Sequence, residues 1–167
     1  MAGIYIHIPF CKRACHYCNF HFSTSLRYKN EFITALLKEI RLQQHFPGMQ
    51  EVSSLYFGGG TPSLLENEEL NNLIHEVRAH YTLLPNAELT LEANPDDLTE
   101  EKLEGWKASG INRLSIGVQS FFEEDLRWMN RAHHAHHARQ CLDDAGHAGF
   151  HDLTIDLIYG APTTSDA

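Results

Sequence analysis

The chain predicts an α/β fold on a single parallel sheet, and three observations predict it. Five short runs rich in β-branched and aromatic residues, at 3–8, 53–57, 88–92, 112–118 and 152–159, alternate with longer stretches of helical periodicity. Residues of unusual chemistry follow the strand ends, where parallel α/β folds build their ligand sites. With 167 residues, 43% hydrophobic and 21% charged, the chain can bury one ordinary domain core.

The first strand, Ile4 to Ile8, is ended by Pro9. A helix near 28–45 follows, with Phe32, Ile33, Leu36, Leu37 and Ile40 on one face. After the second strand, Leu70, Leu73, Ile74 and Val77 mark the apolar face of a helix near 66–81. The third helix has a start and a stop: Thr99 suits the N-cap, Leu98 and Leu103 a hydrophobic staple, and Gly110 the position past the end. Ser120 and Glu123 have capping-box spacing for a short helix to about Met129. A last helix, near 134–148, should bury Ala138, Cys141, Leu142 and Ala145 and stop at Gly149. On that face Cys141 reads as a small core hydrophobe. The final stretch, Gly160 to Ala167, follows the fifth strand with no covering helix, so the chain is expected to stop short of a closed barrel and to leave an edge unpaired.

Composition excludes several function classes. A formal charge of −9 with scattered lysines and arginines opposes nucleic-acid binding. There is no signal-peptide pattern and no apolar run of the roughly 18 residues a membrane span requires, so the expected location is cytoplasmic. Four cysteines, three of them clustered, fit a reducing compartment better than a disulfide scaffold. His133, His134, His136 and His137 form a dense group that could ligate a metal or haem, but at a helix start it reads first as a solvated surface.

The cysteines carry the sharpest signal. Cys11, Cys15 and Cys18 follow the first strand as Cys-x3-Cys-x2-Cys, and no fourth cysteine is near. Three thiolates on a cubane iron-sulfur cluster would leave one of its four irons open to an exchangeable ligand. A structural zinc wants four ligands, which His16 or His21 could complete as Cys3His. A redox disulfide is a third reading, though the flanking sequence lacks a thioredoxin-like turn.

Polar residues gather at the other strand ends. Gly58, Gly59, Gly60 and Thr61 follow the second strand; a tight turn needs one or two glycines, and a third lets a ligand approach bare backbone. Glu92 ends the third strand and Gln119 the fourth. Asp156 lies inside the apolar run Leu153 to Tyr159 and is expected to be a buried carboxylate that needs a partner, either Arg131 or a ligand group.

Taken in order, Cys-x3-Cys-x2-Cys, Gly-Gly-Gly-Thr-Pro, Glu-Ala-Asn-Pro, Gly-Val-Gln and Asp-Leu-Ile-Tyr-Gly resemble the radical S-adenosylmethionine superfamily over nearly the whole chain. The resemblance is strongest to the branch containing oxygen-independent coproporphyrinogen III oxidase and its haem-chaperone relatives. It implies a partial (βα)6 barrel with about five of six units, residues 1–167 forming the core domain, truncated before the last strand, with the family's C-terminal domain absent. It implies a [4Fe-4S] cluster on Cys11, Cys15 and Cys18, with Tyr5 and Tyr17 as neighbours of cluster and cofactor. It implies S-adenosyl-L-methionine held by Gly59, Gly60, Thr61, Glu92, Gln119, Arg131 and Asp156. The oxidases carry a fourth cysteine where this chain has Phe20, so the resemblance favours the chaperone group, which implies haem as cargo, a haem-acceptor protein and an electron donor such as flavodoxin or ferredoxin. Porphyrinogen oxidation and a zinc-stabilised α/β module remain the alternatives.

Overall fold

The computed structural model describes residues 2–46 and 51–163; the last four residues of the expected chain end, 164–167, lie outside the described residues. Five strands, β1 (Ala2–Ile8), β2 (Glu51–Gly59), β3 (Thr82–Ala93), β4 (Arg113–Gln119) and β5 (Asp152–Leu157), form one sheet in the order β1-β2-β3-β4-β5. Every pairing is parallel. The order never reverses. Right-handed crossovers that always step the same way put every connecting helix on the same face of the sheet, as in a barrel and unlike a doubly wound fold.

The pairing register then explains where the core and the site must be. Ile6, Phe57, Leu91, Leu114 and Leu153 form one row across all five strands, and the first four are at most 3% exposed. The row beside it reads Tyr5, Tyr56, Thr90, Arg113 and Asp152. Because strand side chains alternate faces, the sheet has an apolar side under the helices and a polar side away from them.

The helices α1 (Lys29–Leu42), α2 (Asn67–His80), α3 (Glu100–Ser109), α4 (Glu123–Trp128) and α5 (Ala135–His147) follow the expected order. In α2, Leu70, Leu73, Ile74 and Val77 are at most 1% exposed, each burial worth roughly 1.5–3 kcal/mol by apolar area. Thr99 caps α3 by accepting from the Lys102 amide at 3.3 Å, and Gly110 follows with φ 96°. Cys141 is 2% exposed in α5, and burial pushes its thiol up to about 12.

Several expectations need correction. The Ser120–Glu123 capping box does not form: Phe122 is the N-cap of α4, and Ser120 donates to Asp125 at 2.6 Å instead. Glu123 turns to α5, accepting from the Ala135 amide at 2.9 Å and pairing with His134 Nδ1 at 2.8 Å. The histidine group is divided, since His133 is buried at 2% exposure whereas His134 and His136 are exposed. β3 begins at Thr82 rather than at 88, and β5 ends at Leu157, two residues early. Asp156 is exposed, not buried. It shares a face with Asp152 and Thr154, whose partners Arg113 and Ser115 lie on the polar side, so no desolvation problem arises.

Candidate cluster and cofactor site

A cleft of about 470 Å3 opens at the carboxyl ends of the strands. The loop after β1 supplies Cys11, Cys15, Tyr17 and Cys18 to its wall, and the end of β2 with the loop after it supplies Gly59, Gly60 and Thr61. Glu92 of β3, Gln119 of β4, Arg131 before α5 and Asp156 of β5 complete the expected set. Tyr5 is the exception. It lies outside the cleft wall, 58% exposed, stacked on Tyr56 at 5.8 Å between ring centroids.

The cysteine loop is folded on itself and tied down at its far side. The Cys11 amide donates to Ser23 O at 3.0 Å and the Cys18 amide to Cys15 O at 3.1 Å. The His16 amide donates to Met129 O at 3.1 Å, and the Asn130 side chain donates to Ala14 O at 2.9 Å. The segment between α4 and α5 thus acts as a clamp on the loop. All four cysteines are free thiols in this structure. Burial pushes the Cys11 thiol up, the neighbouring Cys18 and Cys15 add to this, and the Thr61 hydroxyl bond opposes it.

The glycine loop is held close to the cysteines. Gly60 donates its amide to Ile8 O at 2.8 Å, and a Cβ there would lie 2.6 Å from Phe10 O and 3.0 Å from Cys11 Sγ. Gly59 has φ 112°, which disfavours any side chain. Its amide donates to Glu92 Oε2 at 3.1 Å, while Tyr56 donates its hydroxyl to Glu92 Oε1 at 2.7 Å. Burial, with the Glu92 carboxylate adding, pushes the Tyr56 hydroxyl up to about 12. Glu92 therefore braces the glycine loop from beneath.

Arg131 is the hub of the opposite wall. Its Nη2 donates to Asn94 Oδ1 and to Gly117 O, both at 2.7 Å. Nη1 donates to Tyr17 at 3.1 Å and reaches Cys15 Sγ at 3.6 Å. The expected pairing with Asp156 is not among these contacts. Gln119 lies in the left-handed region at φ 64°, an unfavourable conformation for a residue with a side chain and one that clusters at functional sites. Tyr56, which orients Glu92, was missed by sequence reasoning, and Asn94, which orients Arg131, was read only as part of the Glu-Ala-Asn-Pro motif with no role of its own. The only available signal was their position beside named motif residues.

The donor chemistry fits a cluster and a small zwitterionic ligand. Three thiols stand at one wall, the side-chain-free surface at Gly59 and Gly60 forms a cradle, and Arg131 keeps a buried Nε without a partner. Among the described residues no three His, Cys, Asp or Glu side chains converge closely enough for a single metal ion. A mononuclear zinc site needs such convergence, whereas thiolates that each grip a different iron of a cluster do not.

Comparison with known proteins agrees with this geometry. A model of the radical SAM superfamily matches residues 5–167. The heme chaperone HemW of Escherichia coli (strain K12) is 36% identical over 166 residues, covering 98% of this chain and 44% of that protein. An oxygen-independent coproporphyrinogen III oxidase of Bradyrhizobium diazoefficiens is 36% identical over 166 residues, covering 96% of this chain and 36% of the relative. The chain thus spans less than half the length of the curated relatives it matches. The solved structure of coproporphyrinogen III oxidase HemN from Escherichia coli superposes with a TM-score of 0.89 at 33% identity, over 98% of this chain and 38% of that one.

Proposed function

This chain belongs to the radical SAM superfamily, and on that premise we propose that it is the cluster- and cofactor-binding core of a haem chaperone that passes haem to an acceptor protein. The observation that carries the reading is the convergence of three free thiols, a glycine cradle and the Arg131 hub on one cleft. Relatives named heme chaperone, matched at 36% identity, support the choice of cargo. Phe20, 74% exposed at the cleft wall, supports it further. It stands where the oxidases of the branch carry a fourth cysteine, and a phenyl ring offers no ligating atom.

Each side chain then has a distinct task. Cys11, Cys15 and Cys18 would hold a [4Fe-4S] cluster, with one iron free of protein thiolate for S-adenosyl-L-methionine. When bound, these two groups supply one-electron chemistry, and the protein contributes position and exclusion of water. Gly59, Gly60 and Thr61 would present backbone and hydroxyl groups to the amino-acid end of the cofactor. Arg131 has the planar fork suited to a carboxylate, and Gln119 and Asp156 offer polar contacts further along the cleft. Glu92 acts on the cofactor by fixing Gly59, and Tyr17 by filling the wall beside Arg131. Tyr5, outside the cleft, stacks beside Tyr56 from the neighbouring strand. The cluster would draw its electron from a small donor such as flavodoxin or ferredoxin, in the cytoplasm. No helix of the described residues is long and apolar enough to cross a membrane.

Anaerobic reconstitution of the chain tests the first half of this reading: about four irons and four sulfides per chain are expected, and bound zinc without sulfide would refute it. Haem titration and an assay with coproporphyrinogen III test the second half. Saturable haem binding without protoporphyrinogen formation is expected. Turnover of the porphyrinogen in the presence of reductant and S-adenosyl-L-methionine would assign the chain to the oxidases instead.

A further inference from the structure

Lys12 lies between the first two cluster cysteines, yet its side chain points away from them. Its Nζ pairs with Asp96 Oδ2 at 2.6 Å and also with Asp97 Oδ1, both in the turn that follows β3. The pair is not an ordinary surface bridge. Asp97 is 5% exposed and Asp96 16%, and Asp96 keeps a buried Oδ1 with no partner, so Lys12 is what compensates two largely desolvated carboxylates.

The contacts continue from there in a closed circuit. Asp97 Oδ2 accepts from Ser63 Oγ at 2.6 Å, and Ser63 Oγ accepts from the Asn94 amide at 3.2 Å. Asn94 Oδ1 accepts from Arg131 Nη2 at 2.7 Å. Arg131 Nη1 then returns to Tyr17 at 3.1 Å and to Cys15 Sγ at 3.6 Å, back in the cysteine loop. Four separate chain segments are joined through one ring of polar contacts that starts and ends within six residues of loop.

We propose that Lys12 is a positioning residue that latches the cysteine loop to the turn after β3, so that retention of iron by the three thiolates depends on a side chain that touches none of them. The inference rests on the cluster reading above. Removing the ammonium would leave the buried Asp97 carboxylate with the Ser63 hydroxyl and no cation, and the turn would move away to find water. Asn94 and Arg131 would follow it, loosening the wall at Cys15. Arg in place of Lys keeps a cation with a fork that two adjacent carboxylates can share.

The test compares Lys12→Met, Lys12→Arg and Asp96→Asn in the full chain by two readouts. One is the rate of iron loss from the reconstituted chain to an excess of ferrous chelator, well below the melting temperature. The other is amide exchange at His16 and Cys18 in the metal-free chain. Lys12→Met is expected to lose iron faster, by up to about the 10- to 100-fold that removing a direct outer partner of a metal ligand costs. It should also exchange both amides faster, with Lys12→Arg close to wild type. Asp96→Asn, which leaves the Asp97 pair intact, should fall between them and serves if Lys12→Met fails to fold. A Lys12→Met or Asp96→Asn chain with wild-type iron loss and exchange overturns the proposal, as does one altered only in melting temperature. If the wild-type chain takes up no iron and sulfide, the cluster reading fails by itself, and the exchange comparison still decides the latch.

Discussion

Gly60 is the residue at which the cysteine loop and the glycine loop have no room to separate. An added Cβ would meet Phe10 O at 2.6 Å and Ile8 O and Cys11 Sγ at 3.0 Å, and the two carbonyls belong to backbone that cannot swing aside. Gly60→Ala is therefore expected to destabilise the metal-free chain by about 1–3 kcal/mol, the usual cost of overpacking. The same variant should reconstitute with less iron. Urea unfolding and iron analysis check both, and an alanine chain with wild-type stability and iron would show that the loops can part. At this scale the three cysteines and the glycines were legible, because their chemistry is written in the residue type. Their supporting partners were not. Tyr56 meets Glu92 and Asn94 meets Arg131 only through strand register and loop path. Asp156 was misjudged for the same reason: an apolar run was taken as buried on both faces, when alternation puts the carboxylate on the open one.

Helix α5 depends on a carboxylate from outside itself. Glu123 of α4 accepts from the Ala135 amide, 12 residues away, and pairs with His134, adding an outside partner to the box that His134 and His137 form at the helix start. These contacts, the Ala135 amide first and His134 next, hold its carboxyl down to about 2 from an ordinary 4.5. A carboxyl depressed in the folded state contributes stability that is present above the ordinary value and is lost as pH falls toward the folded one. The Ala135 amide resonance should accordingly keep its shift through pH 4.5 and move only near pH 2. Titration of that resonance near 4.5 would show that the cap does not hold in solution. Glu123→Gln should abolish the low-pH transition and speed exchange of the first-turn amides. Helices and strands were legible as elements because apolar periodicity survives in the letters, as for Leu70 to Val77. The cap was misassigned because Ser-x-x-Glu spacing describes a local box, and here the glutamate is claimed by a helix that follows it.

The whole molecule is a sheet with one apolar and one polar face, and the polar face becomes a site because the strand order never reverses. That order was legible only as fold class; which residues share a row follows from register, to which composition is blind. His133 shows how the assembly as a whole should respond to acid. It is buried where the end of β4, the turn after β3 and the start of α5 meet, and its Nε2 donates to Val118 O at 3.0 Å. A carbonyl can only accept, so Nε2 carries the proton and Nδ1, buried without a partner, is bare. Protonating Nδ1 would add a cation near Arg131, with Asp96 offering only partial compensation and His137 opposing. Burial first, and Arg131 next, hold the imidazole down to about 4 from 6.5. Between those values the unfolded chain binds a proton that the folded chain refuses, so stability is full above pH 6.5 and declines as pH falls toward 4. At about 1.4 kcal/mol per pH unit for one proton, the loss across the window is about 3 kcal/mol. Denaturant midpoints at pH 7.5 and pH 5 should therefore differ more in the wild type than in His133→Asn, whose amide can still donate to Val118 O without titrating. Equal pH dependence in the two chains would mean that the wild-type imidazole gains its proton without opening the junction between sheet, turn and helix.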